Sequence, residues 1–326
     1  MIVTVVSMPE VAITRTDLSQ AGERLAAERF VLVDVELPAQ APEPEPPVAE
    51  QLGLDVEDLG WFGRRGEPAR AQFLGDRAGF VVPVVHGDAI AHIHVVVTDR
   101  FLVTVHRGQA GLAGDIVTAL RHERPDDTVA VLFLVLQEAL ATFRRAAVQA
   151  LLQIEELEDD MFEDRRPEQV YRLAQLRRRS ALLHHALRPY LQVTDEILTR
   201  RMMSPAFPEQ RRAGAQGFQT AARMVLADTE SLQDATRRAF ASYSSLVAGE
   251  QNGVINRLAI VSVIFLPLSF LTGFFGMNFT FLTDKLETRD EFWLLAVGLQ
   301  AVVLVGSLYV LHRTRIWRRL LDDDRP

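Results

Sequence analysis

Hydrophobic and polar positions along this 326-residue chain change rhythm twice, from alternation to helical spacing and then to unbroken apolar runs. Met1 to Met8 alternates Val with Thr or Ser, and Phe30-Val31-Leu32-Val33-Asp34-Val35 is a β-branched run, so both predict strands. Thr16 to Glu28, between them, carries helical spacing with Asp17 or Ser19 as the N-cap. Pro38 to Pro47 predicts an extended loop, and Val48 to Leu59 short helical pieces. Four more strands follow at Ala71 to Leu74, Phe80 to Val85, His92 to Val97 and Phe101 to Val105. They are divided by the turn signals Gly75-Asp76, His86-Gly87-Asp88 and Thr98-Asp99-Arg100. Their hairpin-like spacing predicts a largely antiparallel or mixed sheet, with helices such as Ala113 to His122 gathered around it.

From Thr128 to Asp164 the spacing predicts one long helix, and Pro167 opens a second that runs to about Met203, with Pro189 as a site for a kink. Ser204 to Pro208 breaks the pattern. Beyond it, Phe218, Val225, Leu232, Ala239 and Leu246 recur every seven residues, a coiled-coil-like seam. Gly214, Gly217, Gly249 and Gly253 weaken it locally, each costing about 1 kcal/mol relative to Ala. Two uncharged apolar runs close the pattern, Leu258 to Phe275 and Phe292 to Leu311, of eighteen and twenty residues. Each is near the roughly 20 residues that cross a bilayer as a helix. The fold class predicted is therefore an α+β (α/β/α) cytosolic domain with long stalk helices over residues 1–250. An all-α membrane hairpin of two transmembrane helices follows over 251–326, at about 258–275 and 292–311. Met1 to Met8 lacks a basic flank and meets Glu10 at once, which fits a strand and not a signal peptide.

Around the first span, Asn252, Ala259, Leu266 and Gly273 are spaced by seven, and Ile255, Ser262, Ser269 and Gly276 lie three residues after each. These eight share one helical stripe of small, polar and apolar residues. Such a stripe serves close helix packing in lipid, its more common use, or lines a narrow path when several copies surround it. Pro267 in mid-span is tolerated where neighbours satisfy the freed carbonyl. The connection 276–291 is acidic by two charges, whereas Arg313, Arg315, Arg318 and Arg319 follow the second run. The positive-inside rule then places both termini in the cytosol and the connection outside, as expected of a multi-pass protein of the cell inner or plasma membrane. The outside loop offers cations a negative mouth.

Charge and composition narrow the functional classes. A net charge of −8 without clustered Lys and Arg beside aromatics argues against nucleic acid as a partner, and zero cysteines exclude disulfides and thiolate metal sites. Neither a Gly-rich phosphate loop ahead of a helix nor a paired nucleophile and base stands out, so the chain is not expected to be an enzyme. Glu155, Glu156, Glu158, Asp159, Asp160, Glu163 and Asp164 crowd one helix end, a run that fits a solvated face. A role in attracting cations near the membrane is the alternative. His92 and His94 point the same way from a strand and would suit two ligands of a zinc ion, but no third ligand is evident. His184-His185 is weaker still, since helical neighbours face different ways.

The stretch Phe265-Leu266-Pro267-Leu268-Ser269-Phe270-Leu271-Thr272-Gly273-Phe274-Phe275-Gly276-Met277-Asn278 resembles the CorA-type divalent-cation transporters, in its Gly-Met-Asn signature, its place at the end of the penultimate span and the basic tail that follows. Val33 to Pro38, Leu52 to Leu59 and Phe101 to His106 add weaker similarity. The resemblance implies a homopentamer in membrane lipid whose first spans line the pore. Its selectivity filter would be Gly276, Met277 and Asn278, with Asn252 as an inner polar ring and Ile255, Leu258 and Leu266 as an apolar gate. Ser262, Ser269 and Gly273 would complete the lining. It implies no resident cofactor. The cargo is a hydrated divalent cation, magnesium first and cobalt also, touched through its water shell by Asn278 and Asn252. The sequence departs from the family pattern in having Phe275 where many members have Tyr, and Asp284 stands where the family's loop acid would be. The family's cytosolic metal-sensing carboxylate falls on Gly217. Those departures leave room for a zinc-transporting relative, with transport coupled to protons, while a membrane-anchored coiled-coil scaffold or sensor without conduction is the remaining alternative.

Overall fold

The computed structural model describes every residue except 41, 55–58, 109–111, 204–206, 278–289, 291 and 314–326. The chain divides into two compact units, Met1–Phe240 and Ala241–Pro326.

The first unit is built on a seven-stranded sheet of β1 (Ile2–Ser7), β2 (Ala12–Thr16), β3 (Val31–Leu37), β4 (Arg70–Leu74), β5 (Arg77–His86), β6 (Ala89–Val97) and β7 (Phe101–Arg107). The spatial order is β2-β1-β3-β7-β6-β5-β4. β3 and β7 run parallel, with Asp34 level with Thr104 and Glu36 with His106, and the other neighbours are antiparallel. The sheet is therefore mixed, as the spacing of its hairpins predicts. β2 is the strand that periodicity does not reveal. Nearly every residue of this edge strand is exposed, so no buried face imprints an alternation on it.

Both faces of the sheet are covered. Val33, Val35, Val81, Val96, Val103 and Val105 pack with α1 (Leu18–Ala27), α2 (Val48–Gln51), Trp61 and Phe62. Residues of opposite parity, among them Val82, Val84, Val95 and Leu102, are equally buried, and α4 (Thr128–Glu163) packs against β5, β6 and β7. Helix starts follow their caps. The Asp17 carboxylate accepts the Gln20 amide at 2.8 Å, and Asp127 accepts that of Ala130 at 2.7 Å. In α5 (Pro167–Met202), Pro167 occupies the first turn, where its missing N–H costs nothing, and the helix continues through Pro189. α3 (Leu112–Glu123) precedes α4.

Gly79 on β5 shows how closely Trp61 lies on this sheet, because a Cβ there would sit 2.6 Å from the indole. Gly79→Ala is expected to destabilise the protein by about 1–3 kcal/mol through overpacking. Gly114→Ala, in open space on α3, should instead stabilise it by about 0.5–1 kcal/mol. Opposite displacements of the thermal unfolding midpoint would check the pair.

α6 (Glu209–Phe275) is a single 67-residue helix. Its heptad positions Phe218, Val225, Leu232 and Ala239 are buried, and so is the interleaved set Ala215, Ala222, Thr229 and Thr236. Together they form the 3-4 seam of a helix packed along one face. The partner is in the same chain: Phe218 meets Tyr190 of α5 edge-on at 6.4 Å, and Gln219 donates to Asp195 at 2.7 Å. Thr229 and Thr236 return their hydroxyl hydrogens to the carbonyls of Val225 and Leu232. These two hydroxyls thereby enter the seam with their donors met.

In the second unit, the apolar end of α6 reaches a mean hydropathy of 2.3 over its best 18 residues, long and apolar enough to cross a membrane. The second apolar run is not one uniform α-helix. Phe292–Gly298 is π-helical and leads into α7 (Leu299–Arg313), a shorter apolar helix. The two are tied by Gln300, whose Nε2 donates to Thr272 Oγ1 at 3.2 Å.

Candidate functional site

Asn252, Ile255, Ala259, Ser262, Leu266, Ser269, Gly273 and Gly276 are all exposed in the single chain, as is Leu258. Exposure alone is common to this segment and includes Phe265 and Phe270. What distinguishes faces is partial cover: Gly253, Asn256, Ile260, Ile264, Pro267, Leu268, Leu271 and Phe275 are half-buried. Averaged along the segment, these lie about 160° of helix from the first stripe, on roughly the opposite face. The small and polar stripe is thus left open to whatever lies beyond the chain. Its hydroxyls carry little penalty, since Ser262 Oγ donates to the Leu258 carbonyl at 2.9 Å.

The end of α6 explains the first letter of the signature. The Gly276 amide donates to Thr272 O at 3.0 Å and the Met277 amide to Phe274 O at 3.3 Å, closing the helix in a turn. A Cβ at Gly276 would stand 3.1 Å from the Thr272 carbonyl oxygen, so the turn favours glycine. Helix carbonyls at this end carry partial negative charge, a favourable environment for a cation. Met277 follows, exposed, while Asn278 and Asp284 lie outside the described residues.

Other sequence candidates resolve as follows. Gly217 is exposed on α6 and offers no side chain at the sensing position. The acidic end of α4 is a solvated face: Ile154, Leu157 and Met161 turn inward, while Glu155, Glu156, Asp159, Asp160, Glu163 and Asp164 are exposed. Among the described residues no group of three or more His, Asp or Glu side chains could hold a metal ion. His92 and His94 do not form a zinc pair, because His94 Nδ1 already accepts the Gly63 amide at 3.1 Å and its ring stacks on Trp61 at 5.7 Å. Burial, then the neighbouring His92, lowers the His94 pKa to about 4. Between the unfolded value near 6.5 and that folded value, protonation favours the unfolded chain. Stability should therefore fall by about 3 kcal/mol as pH drops from 6.5 to 4. His94→Asn keeps an acceptor for Gly63 and should flatten that part of the unfolding-versus-pH profile.

A pair that the sequence reading did not find joins β3 to β7. His106 Nε2 lies 3.4 Å from Asp34 Oδ2 and its Nδ1 2.7 Å from the Gly108 carbonyl, while Thr104 donates to Asp34 Oδ1 at 2.5 Å. With acceptors at both ring nitrogens the doubly protonated ring is favoured. Burial alone would lower the His106 pKa, but Asp34 and the Gly108 carbonyl outweigh it and raise it. The available signal was Asp34 itself, a half-buried carboxylate between Val33 and Val35 of a β-branched strand, whose partial burial favours pairing.

With this geometry in place, comparison with known proteins is decisive at the family level. Residues 27–313 match the model of the CorA-like Mg2+ transporter protein family. The chain belongs to that family. A cobalt/magnesium transport protein CorA of Thermotoga maritima is 25% identical over 154 residues, covering 47% of this chain and 43% of the relative. A zinc transport protein ZntB of Yersinia enterocolitica is 24% identical over 219 residues, covering 67% and 65% respectively. The matched stretches thus span less than two thirds of either relative's own length. The complete structure of the CorA magnesium transporter from Methanocaldococcus jannaschii superposes with a TM-score of 0.77 at 19% identity, covering 96% of this chain and 98% of that one. At that identity the likeness establishes a CorA fold, and the two named cargoes of the sequence relatives differ.

Proposed function

We propose that this CorA-family chain transports hydrated divalent cations, magnesium first and cobalt also, across a cell membrane as a homopentamer with both termini cytosolic. Two transmembrane helices per chain, the end of α6 and the π-helical run continuing into α7, form the membrane part. The observation that carries this reading is the uncovered stripe from Asn252 to Gly276, which ends on the family's Gly-Met-Asn signature. Five copies of the stripe would enclose a path with Asn252 at its inner end, Ile255, Leu258 and Leu266 as a gate, Ser262, Ser269 and Gly273 along the wall and Gly276, Met277 and Asn278 as the filter. Asp284 would add negative charge at the outer mouth. Magnesium sheds its waters reluctantly, so amide and carbonyl oxygens recognise the ion through its shell.

A zinc reading is favoured by two specific observations: the longer match to a zinc transport protein and the absence of a carboxylate at Gly217. Reconstituted liposomes separate the two. Magnesium influx at fixed membrane potential should proceed at the same rate with and without a proton gradient. Zinc uptake that requires an inward proton gradient, with magnesium excluded, would overturn the magnesium assignment.

A further inference from the structure

In the first unit, the start of β6, the end of β7 and the turn after Trp61 enclose a cavity of about 500 Å3. Arg64, Arg65, Arg107, His86 and His92 line it, and no described lining residue is a carboxylate. The guanidiniums are also held in place. Arg65 Nη2 donates to the Ala39 carbonyl at 2.9 Å and Arg107 Nη2 to the Gly63 carbonyl at 3.3 Å. The Gly63 amide in turn donates to the buried His94 ring, which anchors the turn carrying Arg64 and Arg65. Burial, then the nearby Arg65 charge, lowers the Arg107 pKa, and Glu43 offsets this in part. Arg65 and Arg107 thus line one open volume.

We propose that this cavity binds the phosphate group of a small molecule. Guanidinium forks match phosphate oxygens in pairs, and the volume lies within the roughly 300–1,000 Å3 of small-molecule sites. The site stands independently of the proposed transport pathway. Soluble phosphate compounds and phospholipid headgroups share this chemistry, so both are probed. Full-length protein in neutral detergent and cation-free buffer would be titrated calorimetrically with pyrophosphate and, separately, with dihexanoyl phosphatidic acid. Saturable binding of one is expected, and the tighter probe identifies the source. Arg64→Ala removes an exposed side chain and should weaken binding about tenfold, in line with one charge-assisted hydrogen bond. Arg65→Ala/Arg107→Ala should abolish it, with folding checked by circular dichroism. Arg145→Ala, on α4 and paired with Glu138 and Asp115, should leave it unchanged. Absence of saturable binding by either probe, displacement by equimolar chloride, or equal weakening by Arg145→Ala would overturn the proposal.

Discussion

Asn278→Ala is expected to lower divalent-cation uptake into liposomes by on the order of a hundredfold or more, with loss of discrimination among cations. In the proposed pentamer each amide oxygen touches the ion's water shell. A hydrogen bond of about 1 kcal/mol removed from each of five chains compounds to a large change in occupancy of the filter. Asn278→Asp should fail differently. Its charge holds the ion more tightly, and conduction slows because release becomes limiting. Phe270→Ala, exposed on α6 but off the uncovered stripe, is expected to leave uptake within about twofold. Unchanged rate and selectivity in Asn278→Ala would remove Asn278 from the filter. A comparable loss in Phe270→Ala would show that the stripe is not what matters.

The second large effect concerns the fold of the first unit. Asp34→Ala is expected to destabilise it by about 3–5 kcal/mol at pH 6, because His106 would be left buried beside β3 without its counter-charge. The pH dependence follows from the raised His106 pKa. A group raised on folding contributes stability that is fully present below its unfolded value near 6.5, and this is lost as pH rises through the folded value. The cost of Asp34→Ala should therefore shrink from pH 6 toward pH 9. Denaturant unfolding followed by near-ultraviolet circular dichroism at several pH values would measure it. A cost independent of pH would show that Asp34 acts through Thr104 packing alone and not through charge.

These two sites differ in how they could be read. The stripe around Asn252 to Gly276 is visible along one helix, where residues three and four apart are neighbours whatever the rest of the chain does. The long helices were equally open to reading, since their apolar spacing and caps such as Asp127 are local. β2 was missed because an exposed edge strand carries no alternation of burial. His106 and Asp34 stand 72 positions apart, and no local rule selects among the partners that Asp34 could take. The parallel register of β3 and β7 is what brings them level.

By itself, the sequence determined the rhythm of the chain: β-alternation, then a heptad seam, then two apolar runs, with the Gly-Met-Asn signature at the end of the first. Periodicity and signature are properties of neighbours along the chain, so the sheet's existence, the long helices and the family could all be inferred from them. Only the tertiary structure decided which face of α6 stays uncovered, why the His94 pKa is lowered while that of His106 is raised, and that Arg64, Arg65 and Arg107 share one cavity. Each depends on contacts between distant segments, where burial and the charge of a partner reset the chemistry that the residue type alone would suggest.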